Sequence, residues 1–287
     1  MPKRLLCVAP YPGELGWEII NYIPYINGVR KASSFDCVIA CVRIGREGLY
    51  PFVHKFVSSN LTEDMQVSGN CGPRNNAYIS EVRAFKERVR KMKRKGHKCI
   101  LVGCGKIRDR VMLSGRKFIR YKATEEIVAN CYAEYGSKYA VVLVRTRRFG
   151  KGKNWSIKNF DKLGRKIKSL GFTPVYVGSG SKHKFSCGIN LLGETTISDV
   201  IPILCGASFA VGGSTGTMHL SSMCKTPHIV WGNKRLIKRY RKDWNPHRTK
   251  VCFLPDTRQR IYIFLQFFLI LTHLSFFEEF LTAESYL

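Results

Sequence analysis

Apolar residues along the chain follow two alternating arrangements. Short unbroken runs rich in β-branched residues stand at 4–10, 36–42, 98–103, 139–145, 172–178, 189–193, 207–213, 228–232 and 250–254. Most lack the in-and-out alternation of a half-exposed strand, so they predict strands covered on both faces. Between them, at 14–31, 123–136, 156–171 and 196–206, apolar positions recur every three or four residues. The third of these segments is the plainest helix. Ser156 stands where an N-cap belongs, Ile157, Phe160, Leu163, Ile167 and Leu170 make one apolar stripe, and Gly171 can close it. Strands joined by crossover helices predict parallel sheets.

The pattern weakens from about 60 to 95, where SGNCGPRNN reads as a loop and EVRAFKERVRKMKRKG as an exposed basic helix. A fresh series of strands and helices opens near Ser137, which sets a domain boundary at 132–138. The expected fold is α/β, with two Rossmann-like domains, 1–135 and 136–260, facing each other across a cleft. A tail at 261–287 begins with the apolar run IYIFLQFFLILTHLSFF, interrupted by Gln266, Thr272 and His273. That run is marginal as a membrane span and reads as a closing helix, with an interfacial anchor or a terminus that packs poorly as the alternatives.

Composition adds a charge. The 287 residues hold 48 Lys+Arg against 20 Asp+Glu, a formal +28 that favours polyanions, acidic small molecules or an anionic membrane surface. Eleven cysteines, with no Cys-x-x-Cys and most inside apolar runs, predict buried thiols in a reducing cytoplasm and no metal site. The opening MPKRLLCVAPYPGE has too short an apolar core for a signal peptide, so a cytoplasmic location is expected.

Candidate chemistry gathers at three places. In FAVGGSTGTMHLSSMCK a strand runs through Gly213, Ser214, Thr215 and Gly216 into a helix, so unpaired backbone N–H groups face outward beside two hydroxyls. This is a cradle for phosphate, and His219, one turn into the helix, is either a ligand or a structural residue. Arg145, Arg147, Arg148, Lys151 and Lys153 form a dense cationic loop after another strand, suited to a diphosphate or else simply solvated. Near the N-terminus, Glu14 follows Gly13 in a loop and Glu18 precedes Pro24 by six positions. A carboxylate facing the cleft can act as a general base, and one at a helix start can equally serve the helix dipole.

These stretches resemble family 9 glycosyltransferases, the heptosyltransferase-like enzymes of GT-B fold. The family's Asp-Thr-Gly-x-x-His-Leu-Ala signature is matched by Thr215, Gly216, His219 and Leu220, followed by KTPHIVWG where the family has its Thr-Pro strand. Ser214 stands in place of the usual Asp. VRTRRFGKGKNWSIKNFDKLGRKIKSLGFTPVYVGS is similar to the family's strand, basic loop and Lys-x-Trp segment, with Thr146, Lys153 and Trp155 at its donor-phosphate and packing positions. The likeness covers about residues 1–30 and 139–255. It implies a nucleotide-diphosphate-sugar donor in the second domain and a glycan or glycolipid hydroxyl as acceptor in the first. Transfer would be inverting, with Glu14 or Glu18 as base and no metal or other cofactor. The basic stretch KRLIKRYRK and the tail would suit an anionic or lipid-linked acceptor and peripheral membrane contact. Two alternatives remain: a basic nucleic-acid-binding protein, which would lack a reading motif and interleaved aromatics, and a GT-B-like protein without catalysis.

Overall fold

The computed structural model describes residues 1–61, 76–103, 115–146, 154–180 and 183–255. Within them lie two wholly parallel sheets. The first has the order β3-β2-β1-β4, from β1 (Arg4–Val8), β2 (Cys37–Arg43), β3 (Lys55–Ser59) and β4 (Lys98–Val102). The second has the order β10-β9-β8-β5-β6-β7. It comprises β5 (Tyr139–Leu143), β6 (Thr173–Gly178), β7 (Ile189–Leu192), β8 (Phe209–Gly213), β9 (His228–Gly232) and β10 (Val251–Pro255). Nine strands answer to the nine apolar runs. The tenth, β3, is an edge strand whose Lys55 and Phe56 are exposed, so it carries no continuous apolar run to betray it.

The runs are unbroken because both faces of each sheet are covered. Leu6, Val8, Val38, Ala40 and Val42 turn one way, into a core shared with Val141, Val175, Ala210 and Val230 of the second sheet. Leu5, Cys7, Ile39 and Cys41 turn the other way, under Phe85 and Val89 of a basic helix. That helix is Asn76–Arg94, and its remaining surface is charged because only a narrow stripe meets the sheet.

The segment 15–31, here α1, is one helical run with a change of winding. Leu15–Trp17 leads into a π-helical stretch, Glu18–Tyr22, and then into Ile23–Lys31. Pro24 has no N–H to offer the Ile20 carbonyl, and the Arg116 guanidinium reaches that carbonyl at 3.3 Å. With Asn76–Arg94 as α2, the later helices are α3 (Glu125–Tyr135), α4 (Ile157–Ser169), α5 (Ile197–Gly206) and α6 (Gly216–Cys224). In α4 the Ser156 hydroxyl accepts the Asn159 N–H at 3.2 Å. Phe160, Leu163 and Ile167 are buried beneath it, each contributing roughly 1.5–3 kcal/mol.

α3 packs on α5, and the ring edges of Tyr132 and Tyr135 meet Tyr139 at 6.2 and 5.4 Å. This helix is therefore layered on the second sheet, and it ends inside the segment 132–138. Hydrogen bonds stitch the two halves elsewhere: Asn27 Nδ2 donates to Lys117 O at 2.8 Å, Gly48 N–H to Ser198 Oγ at 2.9 Å, and Tyr121 OH to Leu49 O at 2.8 Å. No described helix is long and apolar enough to cross a membrane. The tail at 261–287 lies outside the described residues.

Candidate active site

In the second sheet, β6 and β7 lie on one side of β5, and β8, β9 and β10 on the other. Chains leaving the carboxyl ends of β5 and β8 therefore diverge, and the crevice between them is where open parallel sheets bind ligands. The register pairs Leu143 with Gly212, which brings Arg145 and Thr146 to the same edge as Gly213, Ser214 and Thr215.

The turn from β8 to α6 is built as a cradle. Ser214 N–H donates to Trp231 O at 2.8 Å, holding the turn to the neighbouring strand. Thr215 is the N-cap of α6: its Oγ1 accepts the Met218 N–H at 3.4 Å and lies 3.0 Å from Thr217 Oγ1. The N–H groups of Gly216 and Thr217 have no partner among the described residues, as expected for the first turn of a helix.

The start of α1 abuts this cradle. A Cβ on Gly216 would sit 2.8 Å from Gly16 N and 2.9 Å from Leu15 Cβ, so glycine permits the close approach. The preceding loop is tight as well: a Cβ on Gly13 would fall 2.5 Å from the Tyr11 hydroxyl. Arg43 Nη2 donates to Pro12 O at 3.0 Å and ties the loop to β2.

Two carboxylates on this stretch have different surroundings. Glu14 occupies the N-cap position of α1 with extended backbone, and its carbonyl accepts the Trp17 and Glu18 N–H groups at 3.0 and 3.1 Å. Its side chain makes no capping bond, is half-buried, and has no partner among the described residues. Glu18 is 2% exposed, ion-paired with the equally buried Arg46, and accepts the Tyr50 hydroxyl at 2.7 Å. Burial, with the Glu18 charge beside it, holds the Tyr50 phenol well above its ordinary pKa.

His219 is 4% exposed. Its ring stacks on Tyr240 at 4.5 Å and meets Trp244 edge-on at 4.5 Å, and its Nδ1 is buried without a partner. Burial, then the neighbouring His228 and Arg239, pushes its pKa down to about 3, so the ring is neutral at physiological pH. On the opposite side of the crevice, Arg145 Nη1 donates to Asn154 Oδ1 at 2.6 Å and Thr146 Oγ1 to Ser179 O at 3.2 Å. Lys153, with Arg147, Arg148 and Lys151, lies outside the described residues.

Residues 116–235 match the model of glycosyltransferase family 9 (heptosyltransferase). Over that stretch the chain is similar to family 9 glycosyltransferases. Solved structures similar to the chain include E. coli ADP-heptose LPS heptosyltransferase II, at 12% identity and TM-score 0.61, covering 94% of this chain and 100% of that one. A family 9 glycosyl transferase from Veillonella parvula DSM 2008 follows at 13% and 0.59, covering 92% and 89%. E. coli heptosyltransferase WaaC with ADP stands at 15% and 0.54, covering 94% and 99%. At these identities the likeness is one of fold, and that fold is GT-B: two Rossmann-like domains with parallel sheets. None of the curated proteins matches the sequence.

The matched stretch includes the positions of Arg145, Thr146, Lys153, Gly213, Ser214, Thr215, Gly216 and His219, whereas Glu14 and Glu18 lie in the part of the chain that forms the first sheet. Leu15 and Gly16, which directly follow Glu14, lie against Gly216, and Gly16 also lies against His219. The structure seals Glu18 into a separate buried pair. Sequence reasoning passed over Arg46, Tyr240 and Trp244, because the contacts that involve them in the site are long-range. Among the described residues no group of three His, Cys, Asp or Glu is arranged to hold a metal ion.

Proposed function

We propose that this protein transfers a sugar from a nucleotide-diphosphate-sugar donor to a hydroxyl of a glycan or glycolipid acceptor, by inversion and without a metal. The observation that carries the reading is the N-terminus of α6, with the N–H groups of Gly216 and Thr217 unpaired, at the β5/β8 crevice and against the Glu14 loop. Two similar structures support the donor class: E. coli heptosyltransferase WaaC with ADP and with ADP-2-deoxy-2-fluoro heptose.

In this reading the donor diphosphate sits on the cradle, met by the free N–H groups, the Ser214 and Thr215 hydroxyls, Thr146, and the cations Arg145 and Lys153. Glu14 takes the proton of the acceptor hydroxyl as its oxygen bonds to the anomeric carbon and the bond from that carbon to the diphosphate oxygen breaks. Attack from the face opposite the leaving group inverts the centre. The helix dipole and cations receive the charge developing on the leaving diphosphate, so the step asks for no Lewis acid. His219, held neutral, shapes the floor of the site and adds no positive charge. The exposed cations of the segment 234–242, beginning two residues after β9, favour an anionic or lipid-linked acceptor at the cytoplasmic face of a membrane.

A thermal-shift panel of nucleoside diphosphates and nucleotide sugars tests the donor site, since a ligand of the native state raises the melting temperature. At least one nucleotide family is expected to stabilise the protein, and Thr215→Ala and Lys153→Ala are expected to abolish transfer. A flat panel, together with tight salt-dependent binding of RNA or DNA, would replace this reading with the nucleic-acid one.

A further inference from the structure

After β9 the chain folds back over the cradle through a turn at Lys234–Leu236 and a π-helical turn at Arg239–Asp243. In the middle of this basic, exposed stretch, Tyr240 is fully buried. Its ring is packed by His219 at 4.5 Å, Phe253 at 5.5 Å and His228 at 6.1 Å. None of that packing needs a hydroxyl. The hydroxyl donates to Ser214 Oγ at 3.1 Å and takes a backbone hydrogen bond from Thr215. Both partners belong to the cradle, and the phenol makes no other hydrogen bond among the described residues.

Ser214 and Thr215 lie between Gly213 and Gly216, and glycine leaves a turn free to sample many conformations. A diphosphate binding to an unrestrained turn would have to order it at that moment and lose affinity accordingly. We infer that Tyr240 is a positioning residue for the diphosphate cradle, holding Ser214 and Thr215 in the shape that receives the ligand. The inference rests on the donor-site reading above. It also assigns a role to Ser214, which brings a hydroxyl and no charge to the turn: its oxygen is the anchor point for the phenol.

The test is the affinity of the full chain for adenosine and uridine diphosphates, measured by calorimetry beside the ligand-free melting temperature. Tyr240→Phe keeps the ring and removes the hydroxyl. It is expected to weaken whichever diphosphate binds by about fivefold, the scale of one net hydrogen bond, with the melting temperature little changed. Ser214→Ala should weaken binding as well, and the double variant should lose less than the sum of the two single losses, because the Tyr240–Ser214 bond is common to both. Unchanged affinity in Tyr240→Phe, while the wild type binds, overturns this inference and leaves the donor site standing. So does a loss that only follows a fall in melting temperature, with Ser214→Ala binding normally. A wild type that binds neither diphosphate overturns the donor site and the role of Tyr240 together.

Discussion

Glu18 is sealed against Arg46 and Tyr50, whereas Glu14 keeps a half-buried carboxylate with no partner among the described residues. A general base needs a carboxylate that can meet a substrate proton, and a buried ion pair cannot offer one without leaving a charge unpaired. Glu14→Gln is therefore expected to lower the transfer rate by about 100-fold or more while nucleotide binding, read by calorimetry, is kept. Glu18→Ala removes the carboxylate paired with the buried Arg46 and is expected to cost about 3 kcal/mol in chemical denaturation. The reverse pattern would exchange their roles. The histidines make a second prediction at this scale. Unfolded imidazoles titrate near 6.5, while burial holds His219 down to about 3 and His228 down to about 4. Below pH 6.5 the unfolded chain binds protons that the folded one refuses, so stability is full above that pH and falls as pH drops towards about 4. His219→Asn should flatten the dependence of melting temperature on pH across that window, and an unaltered slope would count against it.

Among the elements, the contact between α1 and α6 governs the site. Gly16 and Gly216 let two backbones meet where larger residues would hold them apart, and the N-terminus of α6 thereby faces the Glu14 loop. Gly216→Ala places a methyl 2.8 Å from Gly16 N, against backbone that has little room to yield. It is expected to cost about 1–3 kcal/mol by urea denaturation and to weaken diphosphate binding as well. Stability like that of the wild type would mean that α1 moves freely off α6. The helices further from the site are conventional in their causes: α5 begins with a capping box in which Thr196 and Asp199 exchange hydrogen bonds.

For the whole molecule the governing quantity is the charge of +28. Among the described residues its cations lie largely on surfaces that face water, including the outer side of α2 and the segment 234–242. Like charges at this density repel one another in the compact state, and salt screens them over roughly 10 Å at 0.1 M. The melting temperature is therefore expected to rise between about 0.01 M and about 0.15 M salt, a dependence opposite to that of a fold held by surface ion pairs. A fall over that range would show that attractive pairs dominate. Few such pairs are present among the described residues, as with the exposed Arg90–Glu87 pair.

The order of strands and helices was legible because apolar periodicity is a local property. Nine runs became nine strands, Ser156 and Thr196 capped the helices that follow them, and Thr215 and Gly216 marked a strand-to-helix turn. The edge strand β3 was not legible, since half-covered backbone leaves no apolar run. Nor could spacing along the chain separate Glu14 from Glu18, which differ in what lies across the fold: Arg46 and Tyr50 come from the loop after β2. The aromatic packing around His219 and the bond from Tyr240 to Ser214 join segments 21–26 residues apart. Sequence alone determined the covered strands and the helices, because each is set by neighbours within a turn or a strand. Tertiary structure alone decided which polar groups are buried, paired or left facing the crevice, because those fates depend on partners that only folding brings together.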